Sequence, residues 1–214
     1  MAELHQEIEV KFHISSLADI EMRLRKLKAH LPGPRTREVN LRFDTPDGSF
    51  QRAGKVLRLR RDGSIHLTYK DGSRSKDGAI SRREIEFEVS DFETARCFIE
   101  ALGYQVVFLY EKYRTTYELD GAHVMLDETP IGSFVEIEGE LDSLRPVAKK
   151  LGLDWNTAIP ASYHALFERV CKARGFTFRD LSFENFEDIE ISSSDLGVKP
   201  AGDSSANISM NTEV

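Results

Sequence analysis

The chain has 214 residues, 40% of them hydrophobic and 30% charged, with a formal net charge of -7. This length fits one large domain or two small ones, the apolar share supports a buried core, and the acidic balance excludes broad binding to nucleic-acid duplexes, which needs a basic footprint. No apolar run is long enough to span a membrane and the N terminus lacks a signal-peptide pattern, so a cytoplasmic protein without a membrane partner is expected, and Cys97 and Cys171 read as buried free thiols.

The first element is a strand over Glu7–Phe12, where charged and apolar residues alternate: Glu7, Glu9 and Lys11 share one face and Ile8, Val10 and Phe12 the other. A helix follows, capped by Ser16, with Leu17, Ile20, Leu24 and Leu27 at helical spacing and a stop at Pro32-Gly33-Pro34. Strands are expected at Val39–Asp44, Lys55–Arg61 and Ile65–Lys70, the last two joined at the hairpin signal Asp62-Gly63. Asp71 to Ser81 reads as a mobile Gly- and Ser-containing loop.

The pattern then restarts. Arg83 to Val89 repeats the opening alternation, and a helix follows with the capping box Ser90 to Glu93 and a stop at Gly103. Strands are expected at Glu111–Leu119, His123–Glu128 and Phe134–Glu140, so strand, helix and three strands occur twice, a weak internal repeat. Two short helices come next, one from Asp142 to Leu151 and one from the cap Ser162 to Gly175. The expected domain spans residues 1–178, and the acidic, Ser-rich stretch 179–214 reads as a disordered tail.

Sorting the strands by parity gathers the charges on one face: Glu7, Glu9, Lys11, Arg58, Arg60, Lys70, Glu84, Glu86, Glu88, Lys112, Arg114, Asp127, Glu136 and Glu138. The other face is apolar and needs the amphipathic helices as cover. Either the charged face lies in water, or eight antiparallel strands curl around it as a small barrel, which also removes open edges. The segregation of signs, acids on the first, fifth and eighth strands and bases between, favours the closed form. The expected fold is therefore α+β, an eight-stranded antiparallel barrel with helices packed outside. Charges inside such a lumen cost several kcal/mol each unless paired or used. Facing acids and bases suit a triphosphate with a divalent cation, carboxylates holding the metal and Lys and Arg the phosphate oxygens.

The motif Glu7-x-Glu9-x-Lys11 resembles the ExExK signature of the CYTH family, the triphosphate tunnel metalloenzymes. Phe43-Asp44-Thr45-Pro46, Leu57 to Arg60, Leu67 to Lys70, Arg83 to Glu86, Lys112 to Arg114, Leu126-Asp127, Gly132 through Glu138 and Ser162-Tyr163 follow in family order, so the resemblance covers residues 3 to 175. It implies an eight-stranded tunnel acting on triphosphates. By resemblance, Lys11, Arg58, Arg60, Lys70 and Arg114 grip phosphates with Lys112 as a helper. Glu7, Glu9, Asp127, Glu136 and Glu138 hold Mg2+ or Mn2+, and Glu84 and Glu86 serve a second metal or position water. The catalytic set expected is Lys11, Lys70 and Glu84, working by in-line phosphoryl transfer to water. The activities implied are triphosphate hydrolysis and, as an alternative, class IV adenylyl cyclisation of ATP; noncatalytic polyphosphate binding is a competing reading of a different class, which the many metal-type carboxylates disfavour. Animal thiamine triphosphatases carry a tyrosine where this chain has Arg42 and a tryptophan where it has Val56, which disfavours thiamine triphosphate and makes Arg42 an added phosphate contact. The histidines, His164 among them, are expected to be structural or exposed. A homodimer through exposed strand faces is also implied.

Overall fold

Strict alternation gives each strand one charged and one apolar face, and the sheet closes so that the charged face is enclosed. A computed structural model describes residues 5–202. The strands are β1 (His5–Ile14), β2 (His30–Asp44), β3 (Val56–Arg61), β4 (Ile65–Lys76), β5 (Ala79–Glu88), β6 (Gln105–Leu119), β7 (Ala122–Thr129) and β8 (Gly132–Glu138). The helices are α1 (Leu17–Lys26), α2 (Ser49–Arg52), α3 (Phe92–Ala101), α4 (Leu141–Lys150), α5 (Tyr163–Arg174) and α6 (Ser193–Leu196). The strands form a closed barrel in the order β1-β5-β4-β3-β2-β6-β7-β8, every neighbouring pair antiparallel. The expected architecture is therefore the observed one.

Helices cover the apolar outer wall in two places, and a third apolar cluster forms on the inward face. α1 and α4 bury Leu24, Leu144 and Val147 against Val10, Phe12, Val135 and Ile137 of β1 and β8. α5 instead packs Leu166, Phe167 and Val170 against Phe108 and Phe134, which share the inward face with Lys112 and Glu136. α3 sets Phe92 and Ile99 against Leu41, Phe43 and Leu59. Each fully buried Leu or Val contributes about 1.5–3 kcal/mol of transfer free energy. On β5 the cover fails, and Ile85 and Phe87 remain exposed.

Several local expectations change in the tertiary context. β2 runs straight through Pro32-Gly33-Pro34 instead of beginning near Val39. Those prolines lie where β2 pairs with β6 alone, because β3 joins only from Val39 onward. A missing N–H is tolerated on a strand with one open side. Gly33 also lies close against β6, where an added Cβ would stand 3.1 Å from the Thr116 Cβ.

The segment Asp71 to Ser81 is not a loop. It extends the β4–β5 hairpin to a turn at Asp77-Gly78, both with positive φ, as a primed turn requires. The tip is docked, with Trp155 Nε1 donating to the Asp77 carbonyl at 2.6 Å. α3 is capped by Asp91 rather than by Ser90. Cys97 and Cys171 are free, as expected, but Cys97 faces solvent and Cys171 is only partly buried.

The stretch expected to be disordered from residue 179 is instead packed through residue 202, and its remainder lies outside the described residues. β7 pairs with β6 only from Tyr113 onward, which leaves one edge of β6 open before it. Leu181 closes that edge: its N–H donates to the Leu109 carbonyl at 2.9 Å and its carbonyl accepts from Glu111 N–H at 2.9 Å. Leu181, Phe186 and Leu196 are buried against α5, and Ala201 N–H reaches the His13 carbonyl of β1 at 2.7 Å. A few apolar anchors outweigh an acidic, Ser-rich composition once an open strand edge and a helix face are there to receive them.

Candidate functional site

Because the charged faces point inward, the barrel encloses a cavity of about 440 Å³. β1 contributes Glu7, Glu9 and Lys11, β3 Arg58 and Arg60, and β4 Lys70. β5 adds Glu84 and Glu86, β6 Lys112 and Arg114, and β8 Glu136 and Glu138. Of the residues expected at the site, Asp127 is the one placed off this wall. It is fully buried behind Lys112 and Arg114. Glu88, which shares the inward parity, lies at the strand end with its side chain 72% exposed.

The acids and bases do not face each other as separate walls. They interlock as ion pairs, since buried charges without a ligand must neutralise one another. Lys11 Nζ lies 2.7 Å from Glu136, Lys70 Nζ 2.5 Å from Glu7 and 3.3 Å from Glu84, and Arg82 2.5 Å from Glu9. Arg58 and Arg60 share Glu86 at 3.3 and 3.4 Å, and Arg60 also meets Asp62 at 2.9 Å. Arg114 bridges Asp127 and Glu136. Burial pushes the Glu136 carboxyl up, but Lys11, Arg114 and Lys112 prevail and hold it well below the usual carboxylate range. Burial and Arg114 depress the Lys112 ammonium, yet Asp127, Glu38 and Glu136 keep it above its ordinary value.

Two cavity groups have no ion-pair partner among the described residues. Glu138 is pushed up to about 7 by burial and then by the neighbouring carboxylates of Glu7 and Glu9. Arg42 is depressed by burial, with Arg82 adding to the effect. Glu138 marks a place short of positive charge and Arg42 a place short of negative charge. Glu7 Oε2 is buried with no hydrogen-bond partner among the described residues, and its ion-pair contact with Arg82 Nε is long, at 3.6 Å. A hard divalent cation held by Glu7, Glu9, Glu136 and Glu138 fits this all-oxygen set. As the side chains lie, no three metal-ligating groups converge among the described residues. Glu7, Glu9 and Glu136 are each turned toward a Lys or Arg instead.

The raised Glu138 gives a pH prediction. A rise from 4.5 to about 7 corresponds to roughly 3 kcal/mol, favouring the neutral form in the folded state. The folded state thus holds this proton more tightly than the unfolded chain, so stability falls as pH climbs from about 4.5 to about 7. In chelator, Glu138→Gln is expected to lose less thermal stability than the wild type over that window. Parallel melting curves for the two proteins would refute the assignment.

Sequence parity missed Arg82, which shares its face with Glu84, and Glu38, which shares its face with Arg42; both were legible from the same alternation. Tyr110, on the β6 face of Lys112 and Arg114, was legible in the same way, whereas Tyr163 and His164 were not, since they reach the cavity from the start of α5. His164 lines the mouth beside Phe108, with ring centroids 4.5 Å apart, and burial together with Arg42 depresses its imidazole. Among the described residues, no helix is long and apolar enough to cross a membrane.

The comparisons with known proteins agree with this architecture. A family model for the CYTH domain matches residues 5–152. Adenylate cyclase CyaB of Aeromonas hydrophila is 26% identical over 176 residues, covering 76% of this chain and 89% of its own. A Pyrococcus horikoshii protein of known structure aligns at 30% identity with a TM-score of 0.64, over 73% of this chain and 96% of its own. A putative adenylyl cyclase of Hippeastrum, described as having a dominant triphosphatase activity, shares the fold at 20% identity and a TM-score of 0.56, over 80% of this chain and 97% of its own.

Proposed function

The chain belongs to the CYTH domain family, and from that premise we propose that it is a metal-dependent hydrolase of a triphosphate, inorganic or nucleoside, acting inside the barrel. The observation that supports this most is the enclosed lattice of paired acids and bases with Glu138 and Arg42 left over. A cavity meant for an anion alone would have no use for that many carboxylates.

In this reading, Lys11, Arg58, Arg60, Lys70, Lys112 and Arg114 bind the phosphate oxygens, joined by Arg82 and Arg42. Glu7, Glu9, Glu136 and Glu138 would hold Mg2+ or Mn2+, and the bound ion supplies Lewis-acid neutralisation of phosphoryl oxygens. Lys70 and Arg82 exchange a carboxylate partner for a phosphate oxygen when substrate enters. Lys11 and Lys70 fix the terminal phosphoryl group in line with an attacking water. Glu84, 3.3 Å from the Lys70 ammonium, orients that water. Little covalent work is asked of the protein.

The name of the Aeromonas relative favours a second reading, conversion of ATP to cyclic AMP and pyrophosphate. The Hippeastrum protein, described as a putative cyclase with a dominant triphosphatase activity, is why the products must decide. Incubation with tripolyphosphate, ATP, GTP or thiamine triphosphate under Mg2+ or Mn2+, followed by mass analysis, is expected to yield orthophosphate. Cyclic AMP with pyrophosphate would install the cyclase reading instead, and recovery of every substrate unchanged would leave a polyphosphate binder.

A further inference from the structure

Asp127 is the residue whose placement departs from a metal-binding role. Its two carboxylate oxygens accept four hydrogen bonds. Oδ1 takes Arg114 Nε at 2.7 Å, and Oδ2 takes the second Arg114 nitrogen at 2.6 Å, Lys112 Nζ at 2.9 Å and the Tyr163 hydroxyl at 2.7 Å. Each carboxylate oxygen offers about two lone-pair directions, so Oδ2 is saturated and Oδ1 keeps at most one. It is also fully buried and does not reach the cavity wall.

Tyr163 links this carboxylate to the rest of the cation set. It is the first residue of α5, whose N-cap Ser162 accepts from Ala165 N–H at 3.2 Å. The segment before it is tied to β1 where Ile159 N–H donates to the Lys11 carbonyl at 2.8 Å. The Tyr163 ring stands 4.1 Å from Lys11 Nζ and 5.2 Å from Lys112 Nζ, measured to its centroid. One side chain thus touches two lysines through its π face and a buried carboxylate through its hydroxyl, and that carboxylate holds Lys112 and Arg114. Cation–π contacts and charge-assisted hydrogen bonds at these distances restrict where an ammonium can point. Glu38 backs the same pair, 3.4 Å from Lys112 and 3.6 Å from Arg114.

We propose that Tyr163 and Asp127 act as a positioning pair that aims Lys11, Lys112 and Arg114 at the anionic substrate, and that Asp127 is not a ligand of the metal. The proposal rests on the triphosphate reading of the cavity, but it is tested by binding without turnover. Titration calorimetry of the full chain would use tripolyphosphate in chelator for the anion and Mn2+ alone for the metal. Tyr163→Phe keeps the ring and removes only the hydroxyl. It is expected to weaken tripolyphosphate about tenfold and leave Mn2+ affinity unchanged. Asp127→Asn is expected to give the same split with a larger loss of anion affinity, since two buried cations lose a charged partner. If that variant does not fold, Tyr163→Phe alone decides.

A merely structural role would weaken both ligands together, and that outcome overturns the proposal. Loss of Mn2+ affinity in Asp127→Asn with tripolyphosphate binding intact overturns it too, by restoring Asp127 as a ligand. Unchanged tripolyphosphate affinity in Tyr163→Phe, or no tripolyphosphate binding by the wild type, has the same consequence. Absence of turnover in a wild type that binds tripolyphosphate counts against hydrolysis and not against this pair.

Discussion

Arg58→Ala is expected to lower kcat/KM for the triphosphate roughly a thousandfold, the scale at which a guanidinium clamp on a transferring phosphoryl group acts. Arg58 lies in the cavity with its side chain only 12% exposed, yet its own contacts are long: Thr68 at 3.2 Å, Glu86 at 3.3 Å and Tyr110 at 3.5 Å. Its Nε has no hydrogen-bond partner among the described residues. Burial works against its charge, but the Tyr110 hydroxyl, Glu38 and Glu86 raise its pKa and keep the guanidinium ionised. A cation held charged and loosely is available to a ligand. Removing it takes away phosphate contacts, while Glu86 keeps Arg60 and Thr68 as partners. Steady-state kinetics and urea unfolding measured on the same preparation separate an effect on activity from one on stability. Near-normal kcat/KM would remove Arg58 from the site, and a collapse of stability equal to the loss of activity would make the effect structural.

Glu9→Gln is expected to raise the Mg2+ or Mn2+ concentration needed for half-maximal activity by about 10- to 100-fold, with a smaller effect on triphosphate affinity at saturating metal. The amide preserves the shape of Glu9 and an acceptor for Arg82, which now lies 2.5 Å from the carboxylate. What it removes is one negative charge from the group that includes Glu7 and Glu138. Since Glu9 is one of the carboxylates that lift Glu138, the same variant is expected to shift the pH-dependent loss of stability attributed to Glu138 toward lower pH. Metal titrations that superimpose on those of the wild type would take Glu9 out of the ligand set.

Much of the molecule was legible in local patterns. A period of two at Glu7 to Phe12, at Leu57 to Arg60 and at Glu84 to Phe87 fixes which side chains share a face, because successive side chains of a strand point to opposite sides. The caps Ser16 and Ser162 and the stops at Gly103 and Gly175 set helix ends through backbone groups a few residues away. Errors gathered where the deciding contact is distant in sequence. Pro32 and Pro34 look like breakers until β3 is seen to leave that side of β2 open. Residues 180–202 look like tail until the open edge of β6 and the face of α5 give Leu181 and Phe186 somewhere to bury. Arg82 and Glu38 needed only a more consistent use of parity, whereas Tyr163 could not be found that way, because a helix has no strand parity.

The amino-acid sequence by itself determined the two-faced strands, the amphipathic helices that cover one face, and hence a cavity rich in both signs of charge. Only the tertiary structure decided which charge meets which: that Lys11 takes Glu136, that Lys70 takes Glu7, that Asp127 is enclosed by Lys112, Arg114 and Tyr163, and that Glu138 and Arg42 are left without an ion-pair partner among the described residues. The reason is physical. Facing is a local property of the backbone, while pairing inside a closed barrel depends on strand register and on how α5 is set against the wall. It is settled by the high cost of leaving a buried charge without a partner.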